Sequence, residues 1–108
     1  IPEIYADLMS EKDAKKLQKM LREVVTSGTG YNLDTDLYTA AGKTGTAEIK
    51  QSQTDTKGTE IGWFVTIMPA TNNREALELV SMTENVKKRG GSGYVVNKTK
   101  KIMEEYLQ

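Results

Sequence analysis

Two short polar connections constrain this chain more than any other feature. QSQTDTKGT, residues 51–59, and ATNNRE, residues 70–75, separate three segments that read as strands. GKTGTAEIK, residues 42–50, is small and rich in threonine, and EIGWFVTIMP, residues 60–69, is aromatic and β-branched. ALELVSMTENV, residues 76–86, alternates Leu77, Leu79 and Ser81 against Glu78, Val80 and Met82. A parallel pairing needs a crossover of about a dozen residues or more, which connections this short do not supply. The three segments are therefore predicted to pair as an antiparallel β-meander.

One helix is predicted before the meander and one after it. Ser10 opens a Ser-x-x-Asp pattern with Asp13, a weaker form of the capping box. Ala14, Leu17, Met20, Leu21, Val24 and Val25 follow at helical spacing, and Gly28 closes a helix over 11–27. Its apolar stripe is expected to face a core, with Lys12, Lys15, Lys16 and Arg22 as the solvated face. SGTGYNLDTDLY, residues 27–38, reads as a loop, and its Asp34 and Asp36 fall short of the oxygen ligands that a calcium loop needs. After the turn KKRGGSG, residues 87–93, Val95, Thr99, Ile102 and Tyr106 mark one face of a closing helix over 94–107. The expected fold class is α+β, a three-stranded antiparallel meander flanked by an N-terminal and a C-terminal helix packed against the sheet.

Several functions are disfavoured by composition. A chain of 108 residues that is 37% hydrophobic holds one modest core. Fifteen basic and fifteen acidic residues cancel, and no basic cluster is interleaved with aromatics, so nucleic acid is not expected as a partner. There is no cysteine and no histidine, so any acyl-transfer chemistry needs lysine or a carboxylate as its base. The longest apolar stretch, IGWFVTIMPA, is far short of the ~20 residues that cross a bilayer. The chain opens on Ile1 and not on methionine, which suggests a piece of a longer protein.

The run AAGKTGTAE, residues 40–48, holds two readings. Gly42-Lys43-Thr44 is how a phosphate-binding loop ends, but that loop requires a glycine five residues before Gly42, where this chain has Leu37. The residues after Lys43 also read as strand, where the phosphate loop requires a helix N-terminus. As an ordinary edge strand the segment is weakened by Gly45, unless another backbone or a ligand must come close there. In an extended segment Thr44 and Thr46 share one side while Gly45 leaves the other bare, with Lys43 at the end of the row. Hydroxyls and an ammonium suit a carboxylate, and a strand N–H suits a developing oxyanion.

The longer string is specific. AGKTGTAE followed, after a variable turn, by IGWFVTIMPA resembles the K-[ST]-G-T strand and the Gly-Trp-Phe strand of the penicillin-binding protein transpeptidase domain. LREVVTSGTG is similar to that family's preceding helix and Gly-Thr-Gly loop, and GGSGYVVNKTKKIMEEYL to its final helix. GTAEIKQ with EIGWFV looks most like class B enzymes, and by a finer likeness their low-affinity, β-lactam-resistant branch.

The resemblance implies a fragment of a peptidoglycan D,D-transpeptidase, whose serine from an S-x-x-K motif attacks the penultimate D-alanine carbonyl of a stem peptide. Lys43 would supply positive charge and steady the serine of a second, S-x-N, motif. Thr44 and Thr46 would contact the carboxylate of stem peptide or β-lactam, the Thr46 backbone N–H would be an oxyanion donor, and Gly45 would keep the strand open. No cofactor and no metal is implied. The parent would be tethered at the extracytoplasmic face of a bacterial membrane.

Ser10, Ser27, Ser52, Ser81 and Ser92 are each followed three residues on by something other than lysine, and none begins S-x-N. This polypeptide alone is therefore expected to be inactive, since nucleophile and base act as a unit. A D,D-carboxypeptidase or β-lactamase fragment, and a non-catalytic peptide-binding module, are the alternatives. The open sheet edge predicts self-association.

Other motifs have plainer readings. Trp63 and Phe64 are expected in the core of a helix-covered sheet. Asn97-Lys98-Thr99 matches a glycosylation sequon but falls inside a predicted helix. Gly90, Gly91 and Gly93 read as a flexible turn, and Glu48 as a solvated strand-end residue.

Overall fold

The computed structural model describes residues 6–107. Helix α1 runs Glu11–Ser27, a 3₁₀ turn covers Tyr31–Leu33, and three strands follow: β1 Ala41–Ile49, β2 Thr59–Met68 and β3 Leu77–Thr83. Helix α2, Ser92–Tyr106, comes last. Both pairings are antiparallel and the sheet order is β1-β2-β3, so β1 is an edge strand. That is the meander the two short connections demanded.

Local chemistry accounts for the ends of α1. The Ser10 hydroxyl accepts the Asp13 N–H at 3.1 Å, and the Gly28 N–H donates back to the Val24 carbonyl at 3.1 Å. The third strand stops at Thr83, short of the expected 86, where Asn85 takes a φ of 58°. Gly90 and Gly91 both take positive φ, 99° and 68°, in the turn before α2.

Strand alternation divides the sheet into two unlike faces. On one, Gly42, Thr44 and Thr46 of β1 sit opposite Thr66, Phe64 and Gly62 of β2, with Leu79 and Ser81 of β3 beyond. Both helices cover this face. Phe64 lies at the centre of the core with Val25, Leu33, Met68, Val86, Val95, Val96 and Met103. Two side-chain bonds pin α2 in place, the Thr99 hydroxyl meeting the Ser81 hydroxyl at 3.0 Å and the Asn32 amide donating to Asn97 Oδ1 at 2.7 Å, while within the helix Thr99 also bonds the Val95 carbonyl at 2.8 Å. Thr99, the last residue of the sequon, is thus buried.

The opposite face carries no helix among the described residues. Trp63, at 39% exposure, and the exposed Val80 and Met82 stand on it. This corrects the expectation for Trp63: Phe64 is core, but its neighbour points away, because helices cover one side only.

Three further expectations are corrected. The apolar stripe of α1 does not all reach a core: residues 11–20 are exposed, Leu17 and Met20 among them, and only Val25 is buried, so the helix projects past the sheet. Arg22 is half-buried and not part of a fully solvated face. Its guanidinium donates to the Ala40 carbonyl at 2.6 Å and meets Asp34 at 3.3 Å, clamping α1 to the chain just ahead of β1. In α2 the buried face is Val95, Val96, Thr99 and Met103, whereas Ile102 and Tyr106 are exposed, because the helix is rolled toward its Val96 side.

Candidate functional site

Lys43, Thr44, Gly45 and Thr46 lie in the middle of β1, extended as expected. The ladder register sets their side chains. Thr44 opposes Phe64 and Thr46 opposes Gly62 on the helix face, while Lys43 opposes Val65 and Gly45 opposes Trp63 on the bare face.

The backbone faces outward at alternate residues. The Lys43 ammonium donates to the carbonyl of Thr44 at 2.9 Å, which places that carbonyl on the free edge. Carbonyls of Val65 and Ile49, by contrast, lie against Gly42 and Gly58 across the β1–β2 pairing. An antiparallel edge strand alternates ladder-bonded and outward residues, so Lys43, Gly45 and Ala47 bond to β2. Thr44 and Thr46 then direct N–H and C=O outward, and Thr46 presents an amide that no described strand uses.

The two threonine hydroxyls have different surroundings. Thr46 is exposed, but Thr44 is buried and its Oγ1 lies 2.6 Å from Oγ1 of Thr29. Thr29 sits in the Gly28-Thr29-Gly30 loop between α1 and the 3₁₀ turn, and that loop is held by the Gly30 N–H donating to the Val24 carbonyl at 2.9 Å. Sequence reasoning missed this partner. Its signal was a hydroxyl placed between two glycines where a helix ends.

Gly42 and Gly45 are required for different reasons. A Cβ on Gly42 would run into the Val65 carbonyl and the Phe64 ring, so the fold itself excludes a side chain there. A Cβ on Gly45 would meet only the Trp63 Cβ, at 3.7 Å, an ordinary contact. Nothing within the described structure forbids a methyl group at 45.

Charge along the rest of the strand is locally balanced. Glu48 pairs with Lys50 at 2.9 Å, and the Lys50 hydrogen bond and charge hold its carboxyl below the ordinary range. Glu48 is exposed, which fits a solvated strand end. Asp34 is taken up by Arg22, and among the described residues no group of acidic side chains is placed to hold a metal ion. No described helix is long and apolar enough to cross a membrane.

Against this geometry the comparisons with known proteins are decisive. The penicillin binding protein transpeptidase domain family matches residues 2–104. The chain belongs to the penicillin-binding protein transpeptidase family. Penicillin-binding protein 3 of Bacillus subtilis (strain 168) is 41% identical over 99 residues, 90% of this chain and 14% of that protein. Peptidoglycan D,D-transpeptidase MrdA of Acinetobacter baumannii is 44% identical over 41 residues, 38% of this chain and 6% of that protein. Among solved structures, the apo transpeptidase domain of Burkholderia pseudomallei penicillin-binding protein 3 superposes with a TM-score of 0.61 at 23% identity. It covers 89% of this chain and 31% of that one, a likeness of fold. This transpeptidase-family chain thus spans a small part of the relatives it matches, and its two helices and three-stranded sheet form a fragment of the transpeptidase fold.

Proposed function

We propose that this chain supplies one wall of the active site of a peptidoglycan D,D-transpeptidase, the wall that receives the substrate carboxylate and the oxyanion. The observation that carries this reading is the free edge of β1, where Thr44 and Thr46 turn backbone groups outward beside an exposed Thr46 hydroxyl and the Lys43 ammonium.

In the reaction a serine oxygen, supplied by a part of the protein beyond this chain, attacks the penultimate D-alanine carbonyl. The carbonyl oxygen becomes an oxyanion, and the Thr46 N–H donates to it. The C–N bond to the terminal D-alanine breaks, that residue leaves as an amine, and an ester to the serine remains. An amine of a second stem peptide attacks the ester, forms the new amide and frees the serine. A β-lactam acylates the same serine by opening its ring C–N bond, keeps the freed nitrogen tethered, and stalls as that ester.

Lys43 contributes positive charge to the cleft, and Thr46 takes the terminal carboxylate with its hydroxyl. Thr44 holds the strand against Thr29 through its buried hydroxyl and turns only its backbone groups to the cleft. Gly45 gives the ligand clearance on the side where the fold itself would tolerate a methyl group. The full protein acts on stem peptides outside the cytoplasmic membrane, and this piece alone has no acylating serine. A sheet with one bare apolar face and two edge strands, β1 and β3, also self-associates when isolated.

Acylation by a fluorescent penicillin tests the reading. In the full-length protein Lys43→Ala is expected to lower labelling by about 10²-fold, with little loss of stability because Lys43 is exposed. Unchanged labelling in that variant would overturn the role of the strand. Labelling of the 108-residue chain by itself would overturn its inactivity.

A further inference from the structure

The turn between β1 and β2 and the segment between β3 and α2 meet at one end of the sheet. Between them is an open concavity of about 660 Å³ whose lining includes Lys57, Thr59, Asn85, Lys87, Lys88 and Arg89. Four of these six side chains are cationic, and they come from segments about thirty residues apart in the chain.

The two segments are fastened together. Lys87 Nζ donates to the carbonyls of Thr56 at 3.0 Å and Gly58 at 3.3 Å, and the Thr59 hydroxyl donates to Asn85 Oδ1 at 2.5 Å. Asn85 makes that bond from a left-handed backbone, φ 58°, and the Val86 N–H donates to the Glu60 carbonyl at 3.0 Å. These bonds hold like charges close together, an arrangement that is unfavourable without a counter-charge.

Among the described residues no ion pair neutralises these four cations, and Glu48 acts on Lys87 only as a more distant charge. The ion pairs among the described residues are Lys15–Glu11, Arg22–Asp34 and Lys50–Glu48, and none involves Lys57, Lys87, Lys88 or Arg89. Nearby Asp55 keeps its negative charge, but its carboxylate is bonded by the N–H groups of Lys57 at 2.8 Å and Gln51 at 3.2 Å and not by any of the four cationic side chains. Arg89 and Lys98 both lie over the Tyr94 ring, 5.4 and 5.3 Å from its centroid. The hydrogen bond from Arg89, and behind it the charges of Lys98 and Arg89, hold the Tyr94 phenol below its ordinary value. The same positive field extends there to a neighbouring side chain. Donors remain open as well, since a guanidinium has five N–H groups and Arg89 commits one to Tyr94.

We propose that this concavity is an anion-binding site, taking a multivalent oxyanion such as a phosphate ester or a cluster of carboxylates. It is separate from the edge of β1: Thr59 is three residues along β2 from Gly62, the partner of Thr46, which is about 10 Å of strand. The site stands on its own residues and does not depend on the acyl-transfer reading.

Backbone amide NMR of the chain, titrated at low ionic strength with inorganic pyrophosphate and separately with citrate, tests the proposal. Saturable shifts confined to residues 56–59 and 85–89 are expected with at least one of the two. Pyrophosphate alone points to a phosphate source, citrate alone to carboxylates, and both to the shared chemistry. The double variant K88E/R89E is expected to weaken binding about tenfold or more. K12E/K16E on the exposed part of α1, an equal change in net charge, is expected to stay within about twofold. Shifts spread over the α1 lysines, equal losses in the two variants, or no saturation would each overturn the site. Should K88E/R89E lose its dispersed spectrum, K88Q/R89Q is read in its place, and affinity unchanged from the parent chain would be fatal.

Discussion

The hydroxyl oxygens of Thr29 and Thr44 lie 2.6 Å apart and join the loop after α1 to the middle of the strand that carries Lys43. Thr44 is buried, so its hydroxyl cannot exchange this partner freely for water. Thr29→Val is expected to destabilise the chain by about 1–2 kcal/mol in urea unfolding, because the Thr44 oxygen is left unpaired. Thr29→Ser keeps the oxygen and is expected to retain most of the stability.

Two glycines three residues apart separate packing from ligand clearance. Gly42→Ala drives a methyl group into the Val65 carbonyl and the Phe64 ring and is expected to cost about 1–3 kcal/mol. Gly45→Ala meets only an ordinary contact with Trp63 and is expected to change stability by no more than about 0.5 kcal/mol. Urea melts of the two variants check the contrast. Penicillin acylation of the full-length Gly45→Ala protein, expected to fall, shows whether the clearance serves a ligand.

Acid weakens the β1–β2 turn first. The N–H groups of Lys57 and Gln51 hold the Asp55 carboxyl below its ordinary 3.8. A carboxylate with a depressed value in the folded state adds stability above 3.8 and loses it as the pH falls through the folded value. Amide protection at Lys57 and Gly58, measured against the intrinsic exchange rate at each pH, is therefore expected to fall below that point, ahead of the core strands. Asp55→Asn is expected to remove the dependence, and a dependence that survives it would assign the effect elsewhere.

The bare face of the sheet makes association measurable. Sedimentation at rising concentration is expected to show mass above the monomer. Trp63→Lys combined with Met82→Lys places charge on that face without touching Phe64, and is expected to return the chain to monomer. A monomer at every concentration in the unaltered chain would end this expectation.

Local signals carried much of the fold. Connection lengths ordered the strands, Ser10 and Gly28 bounded α1, and the alternation of Leu77 and Leu79 with Val80 and Met82 sorted the faces of β3. What escaped the sequence was contact between distant residues. Arg22 has the spacing of a surface residue, and only the path of the chain brings the Ala40 carbonyl under it. Trp63 next to Phe64 reads as core from hydrophobicity alone, yet which face helices cover depends on where both α1 and α2 finally lie. Lys43, Thr44, Gly45 and Thr46 were legible as a group because one strand carries them all. Thr29 was not legible as Thr44's partner, and Lys57 was not legible as a neighbour of Lys88, because each pairing is made by the fold.

The protruding half of α1 also sets how the molecule tumbles and scatters. Its radius of gyration is 16.0 Å, with extents of 49 × 35 × 28 Å, against about 13 Å for a rounded body of the same chain length. A shape with so long a spar drags more solvent than its mass warrants. Its X-ray scattering profile should therefore carry the signature of a prolate particle.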